Sequence, residues 1–116
     1  MKLANLTLHS QEKYKKDFAR EGFDIEIEPH GIVVNGQKPE EIRKMAKEAV
    51  EDAIRRGCEG FLLGGRTDVA IYISEIAQKK GIPCFVVNTK RVRVWDRGNE
   101  FFKFNFGGVI RICISS

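Results

Sequence analysis

The chain opens on an alternating run. Leu3, Asn5 and Thr7 fall on one side of an extended segment and Ala4, Leu6 and Leu8 on the other, which predicts a short strand over residues 3–8. Ser10 suits the N-cap of a following helix, roughly residues 11–21, which Gly22 can close. Its apolar stripe, Tyr14, Phe18 and Ala19, is thin, so this helix should lie on the surface with one narrow contact. Residues 24–36, DIEIEPHGIVVNG, alternate at Ile25 and Ile27, break at 29–31 and extend again over 32–34. They predict either one bent strand or a small hairpin.

Helical periodicity is strongest after Pro39. Ile42, Met45, Ala46, Ala49, Val50, Ala53 and Ile54 recur at helical spacing, Glu40 and Glu41 favour the positive end, and Gly57 follows Arg55 and Arg56. The apolar run 61–63 then has the length of a strand buried on both faces. Val69, Tyr72, Ile73, Ile76 and Ala77 predict another helix, ended by Gly81 and Pro83, and residues 82–88 supply a second buried strand. Strand, helix and strand in this order form a βαβ unit with parallel strands and a right-handed crossover. Beyond Asn88 the pattern changes. VRVW, the turn DRGN, EFFKFNF and VIRICI read as antiparallel strands, with Phe102, Phe104 and Phe106 on one side and a bend at Gly107 and Gly108. The expected architecture is one domain over residues 1–116. It is a three-layer Rossmann-like α/β fold, with a mostly parallel sheet and a C-terminal antiparallel extension.

Composition narrows the function classes. An apolar share of 42% and a charged share of 31% are ordinary for a globular protein. No run approaches the length of a membrane span, and MKLANLTLHS is too short and polar for a signal peptide, so a cytoplasmic location and no membrane partner are expected. Cys58, Cys84 and Cys113 lie apart beside apolar residues and read as buried thiols. Net charge is +4, unevenly spread: from Lys79 onward eight basic residues face two acids, a net of +6, leaving −2 for the first 78 residues. A basic C-terminal third fits either an anionic partner, such as a nucleotide or nucleic acid, or an ordinary solvated strand face.

In open α/β sheets, ligands bind beyond the carboxyl ends of the parallel strands. Three segments should converge there: Thr7, Leu8, His9 and Ser10; Gly64, Gly65, Arg66, Thr67 and Asp68; and Asn88, Thr89, Lys90 and Arg91. The two glycines let a ligand approach the backbone, and the helix that follows presents unpaired N–H groups. Arg66 adds a planar phosphate donor, and Thr67 or Asp68 can cap the helix. The alternative is a glycine turn with a helix cap and nothing more. The stretch is neither GxxxxGK[ST] nor GxGxxG, and Asp68 would repel a phosphate unless turned away. His9 is placed for proton transfer, or for packing at a strand end, whereas His30 in its PHG turn looks structural. Lys90 and Arg91 are either charge-neutralising groups or surface cations. No GxSxG elbow is present, and the histidines and carboxylates suggest neither a metal site nor a cofactor. A phosphodiester reaction in which a ribose 2′-hydroxyl is the nucleophile suits so sparse an inventory.

NLTLHS, residues 5–10, leading into a helix, and a later strand ending in Gly64 and Gly65, resemble a pattern in small Rossmann-like accessory proteins of type III CRISPR systems, among them ring-nuclease-like families. The overall plan is also similar. The resemblance implies a homodimer that binds a cyclic oligoadenylate across a shared groove, with or without metal-independent cleavage. It carries over His9, Ser10 and the turn from Gly64 through Thr67 as ligand contacts. With the other converging segments, His9, Arg66 and Lys90 are then the candidate catalytic groups. Ser10, Gly64, Gly65, Thr67, Asn88, Thr89 and Arg91 are the candidate ligand contacts. The competing expectation is a non-enzymatic module that binds nucleic acid or protein through its basic C-terminal strands. A third is a mononucleotide-dependent enzyme of another class.

Overall fold

The structure is a computed structural model that describes residues 1–112. In chain order it contains β1 (Lys2–Leu6), a 3-10 turn (Glu12–Tyr14), α1 (Lys15–Arg20), β2 (Asp24–Ile25), α2 (Pro39–Arg55), β3 (Gly60–Leu63), α3 (Thr67–Lys80), β4 (Cys84–Asp96) and β5 (Asn99–Ile112). These strands form one sheet of order β2-β1-β3-β4-β5. β1 pairs in parallel with β2 and β3, β3 pairs in parallel with β4, and β5 alone runs antiparallel. Cys113 and the last residues of the VIRICI segment lie outside the described residues.

Strand alternation sorts the core into two sides. Ala4, Leu6, Phe61, Leu63 and Cys84 pack with Ile42, Ala46, Val50 and Ala53 of α2 and with Val69, Ile73 and Ala77 of α3. Leu3, Leu62 and Phe85 face the other way, toward Phe18 of α1 and Ile25. The domain is therefore a three-layer α/β sandwich, with α2 and α3 on one face of the sheet and α1 on the other. Each helix closes by the same pair of bonds. Gly22, Gly57 and Gly81 donate back to Ala19, Ile54 and Gln78, while Phe23, Cys58 and Ile82 reach back to Phe18, Ala53 and Ala77.

Three local expectations change. The first helix is split, because residues 12–14 take a 3-10 turn before α1 begins at Lys15. The 24–36 segment is neither a bent strand nor a hairpin, since β2 pairs only at Asp24 and Ile25. Pro29 cannot donate to a ladder, and the chain instead tracks the edge of β1 through single bonds: Glu26 N–H to Leu3 O, His30 N–H to Asn5 O and Gly31 N–H to Thr7 O. Ile32 and Val34 are freed to pack onto the core beneath α2 and α3.

The largest departure lies after Asn88. β4 does not end there but continues to Asp96, and β5 pairs with it along its whole length. The turn is Arg97-Gly98, with φ of 51° and 78°, the two positive values of the tight hairpin turn whose twist matches antiparallel strands. Val87 lies opposite Val109 and Thr89 opposite Phe106, so β5 carries one extra residue between these pairs. Gly107 occupies that bulge, where a Cβ would lie 2.8 Å from the Asn88 carbonyl oxygen. Beyond it the hairpin projects as a two-stranded arm, and the domain reaches 50 Å in its longest dimension. Among the described residues no helix is long and apolar enough to cross a membrane.

Candidate functional site

The first connection, through α1, carries the chain from β1 to β2 on one side. The next, through α2, returns across β1 to β3 on the other. The strand order therefore reverses between β1 and β3, and the carboxyl ends of these two strands diverge into a crevice. A groove of about 420 Å³ opens there, lined by Thr7, His9, Ser10, Gln11 and Tyr14 from the β1 side. Leu62, Leu63, Gly64 and Gly65 line it from β3, and Val86, Val87 and Thr89 from β4.

The β1 wall is built on a polar network inside the core. Asn5 is fully buried and Thr7 nearly so. Asn5 Nδ2 donates to the His9 carbonyl at 2.9 Å and the Ile27 carbonyl at 3.1 Å. Asn5 Oδ1 accepts from the Thr7 backbone N–H at 3.1 Å and the Thr7 hydroxyl at 2.6 Å. Thr7 Oγ1 in turn accepts the His9 N–H at 3.2 Å. All four hydrogen-bonding positions of the Asn5 amide are used, which fixes the main chain as it leaves β1. The His9 side chain is exposed at the groove. Ser10 Oγ accepts the Glu12 N–H at 3.3 Å, but Ser10 is not the expected N-cap: that place is taken by Gln11 for the 3-10 turn and by Tyr14 for α1.

The loop after β2 braces this wall from outside. The Ile27 carbonyl takes both Asn5 Nδ2 and the Gln11 N–H, the latter at 2.9 Å. The loop is clamped by Arg56, whose guanidinium makes two parallel bonds to Glu26 at 2.8 and 2.9 Å. Burial pushes the Glu26 carboxyl up, but the hydrogen bonds and charge of Arg56, with the Asn5 N–H, outweigh it and hold Glu26 below the usual carboxylate range. His30, read as structural, contributes its backbone N–H to Asn5.

On the β3 side, Gly64 lies against Thr7, where a Cβ would meet the Thr7 methyl at 3.2 Å, and Gly65 turns the chain at φ 88°. Arg66 follows as the N-cap residue of α3, and Thr67 is already inside the helix, so neither Thr67 nor Arg66 caps with its side chain. Asp68 Oδ1 takes the Val69 N–H at 2.9 Å and supplies the local acceptor instead. Arg66 grips Asp68 through two bonds of 3.0 and 2.9 Å, and this contact holds the Asp68 carboxyl below its ordinary range. The carboxylate that would repel a phosphate is thus matched by a neighbouring cation.

His9, Ser10, Gly64, Gly65 and Thr89 therefore share one groove, whereas Arg66, Thr67, Asn88, Lys90 and Arg91 do not line it. Arg66 and Thr67 lie at the start of α3, exposed. Asn88 sits at the bulge. Lys90 and Arg91 are carried outward because β4 continues into the arm. Pleating puts Arg91 on the same face as Thr89 and Lys90 on the opposite one. The Arg91 guanidinium stacks 3.6 Å from the centre of the Phe102 ring. Sequence reasoning passes over the roles of Asn5 and Gln11. The signal for Asn5 is an amide in the middle of a short, otherwise apolar strand; Gln11, beyond the strand, carries none.

Neither of the two described cysteines lines the groove. Cys84 borders a separate hollow of about 270 Å³ with Ser74 and Arg111, and burial pushes its thiol up to about 11 against the lowering bond to Ser74. Burial also raises Cys58. Both remain protonated thiols near neutrality, as the sequence predicts for buried cysteines. No protein-family model matches this chain, and no curated protein matches it.

Proposed function

We propose that the groove binds a cyclic oligoadenylate and that the chain, acting as a cytoplasmic homodimer, cleaves it. The observation that supports this reading is the meeting of the β1 and β3 ends beside the middle of β4, with His9, Ser10, Gly64, Gly65 and Thr89 around one crevice at the strand-order reversal. The glycines let a phosphodiester approach the backbone at the start of α3, where N–H groups and the helix dipole favour negative charge. In the proposed reaction the ribose 2′-oxygen attacks the adjacent phosphorus and the bond to the 5′-oxygen breaks. His9 takes the 2′-hydroxyl proton and passes it on to the departing 5′-oxygen. The products are a 2′,3′-cyclic phosphate and a free 5′-hydroxyl, so atoms and charge balance. Arg66 can supply charge by exchanging Asp68 for phosphate, and Arg91 lies along the strand from Thr89; Lys90, on the far face, is the weakest of the three cations for this role.

The direct test is incubation with labelled cyclic tri-, tetra- and hexa-adenylate, with and without EDTA. Binding of at least one ring and its linearisation in the presence of chelator support the reading. A protein that neither binds nor cleaves any of them refutes it.

One observation favours a second reading. Arg91, Arg93 and Trp95 share a face of the arm with Phe102 and Phe104, and Trp95 is 64% and Phe104 53% exposed. Aromatic rings interleaved with arginines make a stacking platform for single-stranded nucleic acid. That reading expects binding to single-stranded RNA whose affinity falls steeply with salt.

A further inference from the structure

We propose that Gln11 selects the base, its side-chain carbonyl accepting a hydrogen from the 6-amino group of an adenine held in the groove. The inference rests on the functional reading above and adds to it the group that reads the ligand. Among the described residues, Gln11 Oε1 is the one buried side-chain polar atom without a hydrogen-bond partner. Gln11 is only 7% exposed, yet it lines the groove. Buried acceptors nearly always have a partner, so an orphan at the wall of a crevice marks a bond to be made there.

The neighbours fix which end of the amide is free. Nε2 faces Thr7 Oγ1 at 3.4 Å and the His9 carbonyl at 3.3 Å. A carbonyl can only accept, and the Thr7 hydroxyl hydrogen is committed to Asn5 Oδ1 at 2.6 Å or the His9 carbonyl at 3.0 Å. Turning the amide over would set oxygen against oxygen, so the carbonyl is the orphan. The two bonds to Nε2 are long, and the amide can swing toward a donor without giving up a strong contact. Its backbone stays anchored, since the Gln11 N–H is held by Ile27 and its carbonyl receives the Tyr14 N–H at 3.1 Å.

The chemistry of the recess selects the ligand group. An acceptor repels phosphate oxygens and calls for a neutral donor. Beside it lie Leu62, Leu63, Val86, Val87 and the Tyr14 ring, a lining suited to a flat heterocycle rather than to a hydrated sugar. The 6-amino group is the one exocyclic donor that adenine carries. A site that holds an acceptor for it rejects an analogue that leaves the acceptor unpaired.

The test compares three ligands: cyclic tetra-adenylate, the same ring with unsubstituted purine in place of adenine, and the 2′-deoxy adenine ring. Affinities are measured for the unaltered protein and Gln11→Met. The unaltered protein should bind the purine ring at least about tenfold more weakly than the adenine ring. Gln11→Met, similar in shape but without the acceptor, should bring the two within about threefold. Equal affinities in the unaltered protein overturn the proposal. So does a Gln11→Met variant that weakens both rings alike, because that is the mark of a merely structural residue. A preference that tracks the 2′-hydroxyl instead of the amino group also overturns it. If the unaltered protein binds no cyclic adenylate of any ring size, the functional reading falls and this inference with it; if it binds without discriminating, only the inference falls.

Discussion

Gly31 lies so close to β1 that a Cβ would overlap the Thr7 carbonyl oxygen, the acceptor of its own N–H. Since both clashing atoms are backbone, Gly31→Ala should force the 26–31 loop off β1. It should lower stability by about 1–3 kcal/mol in urea titration and weaken groove binding as well, because the loop carries the Ile27 carbonyl that braces Asn5 and Gln11. Glu26 gives a pH-dependent counterpart. Its folded pKa is lowered, so the stability it contributes is complete above the unfolded value near 4.3 and is lost as pH falls through the folded one. Glu26→Gln should therefore unfold earlier than the unaltered protein at pH 7, by about 1–2 kcal/mol for a partly buried, two-bonded arginine pair. The gap should close as both are titrated into the acid range in thermal melts. These residues show where sequence stops being informative. The side on which Asn5 and Thr7 fall is legible from alternation, and so is the exposed position of His9 at the strand end. What organises them is a set of main-chain carbonyls, at His9 and Ile27, and a carbonyl carries no identity in a sequence.

At the scale of elements, periodicity is a good guide wherever an element buries a face. α2, α3, β3 and the start of β4 all lie where the apolar spacing puts them, because each contributes a continuous side to the core. It is a poor guide for β2, whose two residues are set by the edge of β1 rather than by their own pattern, and for the arm. There the strand runs of VRVW and EFFKFNF are legible, but their continuity with β4 and β5 depends on one bulge at Gly107 and on the Arg97-Gly98 turn. This misplaces Lys90 and Arg91, which belong to a projecting hairpin rather than to a strand end. A two-stranded hairpin is marginal on its own, so the arm should be the first part to open. Gly98 sits at φ 78°, where a side chain is disfavoured by about 1–2 kcal/mol. Gly98→Ala should accordingly speed hydrogen exchange of amides in the arm about tenfold, following that energy, while amides of β1 and β3 keep their protection.

For the molecule as a whole, the groove and the arm are two candidate surfaces on one body, and charge separates them. Of the net +6 from Lys79 onward, the arm carries +3, five basic residues (Lys90, Arg91, Arg93, Arg97 and Lys103) against Asp96 and Glu100, whereas the first 78 residues carry −2. Among the described residues, the groove lining includes no lysine or arginine. A ligand held mainly in the groove should therefore bind with weak salt dependence, and one lying along the arm should release counterions from each phosphate it pairs. The variants diverge in the same way. Under the groove reading, His9→Ala should slow linearisation of the cyclic adenylate by about 10²–10⁴-fold, the range of a lost proton-transfer group, with affinity little changed. Arg93→Glu combined with Lys103→Glu should then leave the rate within a few-fold. Under the nucleic-acid reading the order inverts: the charge reversals abolish RNA binding and flatten its salt slope, and His9→Ala does nothing. Arg93 is already paired with Glu100, so its reversal also places two acids side by side at the arm's base-stacking face, and the effect on RNA should exceed that of Lys103 alone. Measuring both ligands against both variants at two salt concentrations assigns each surface its role, because no single loss of fold can produce opposite rankings for the two ligands.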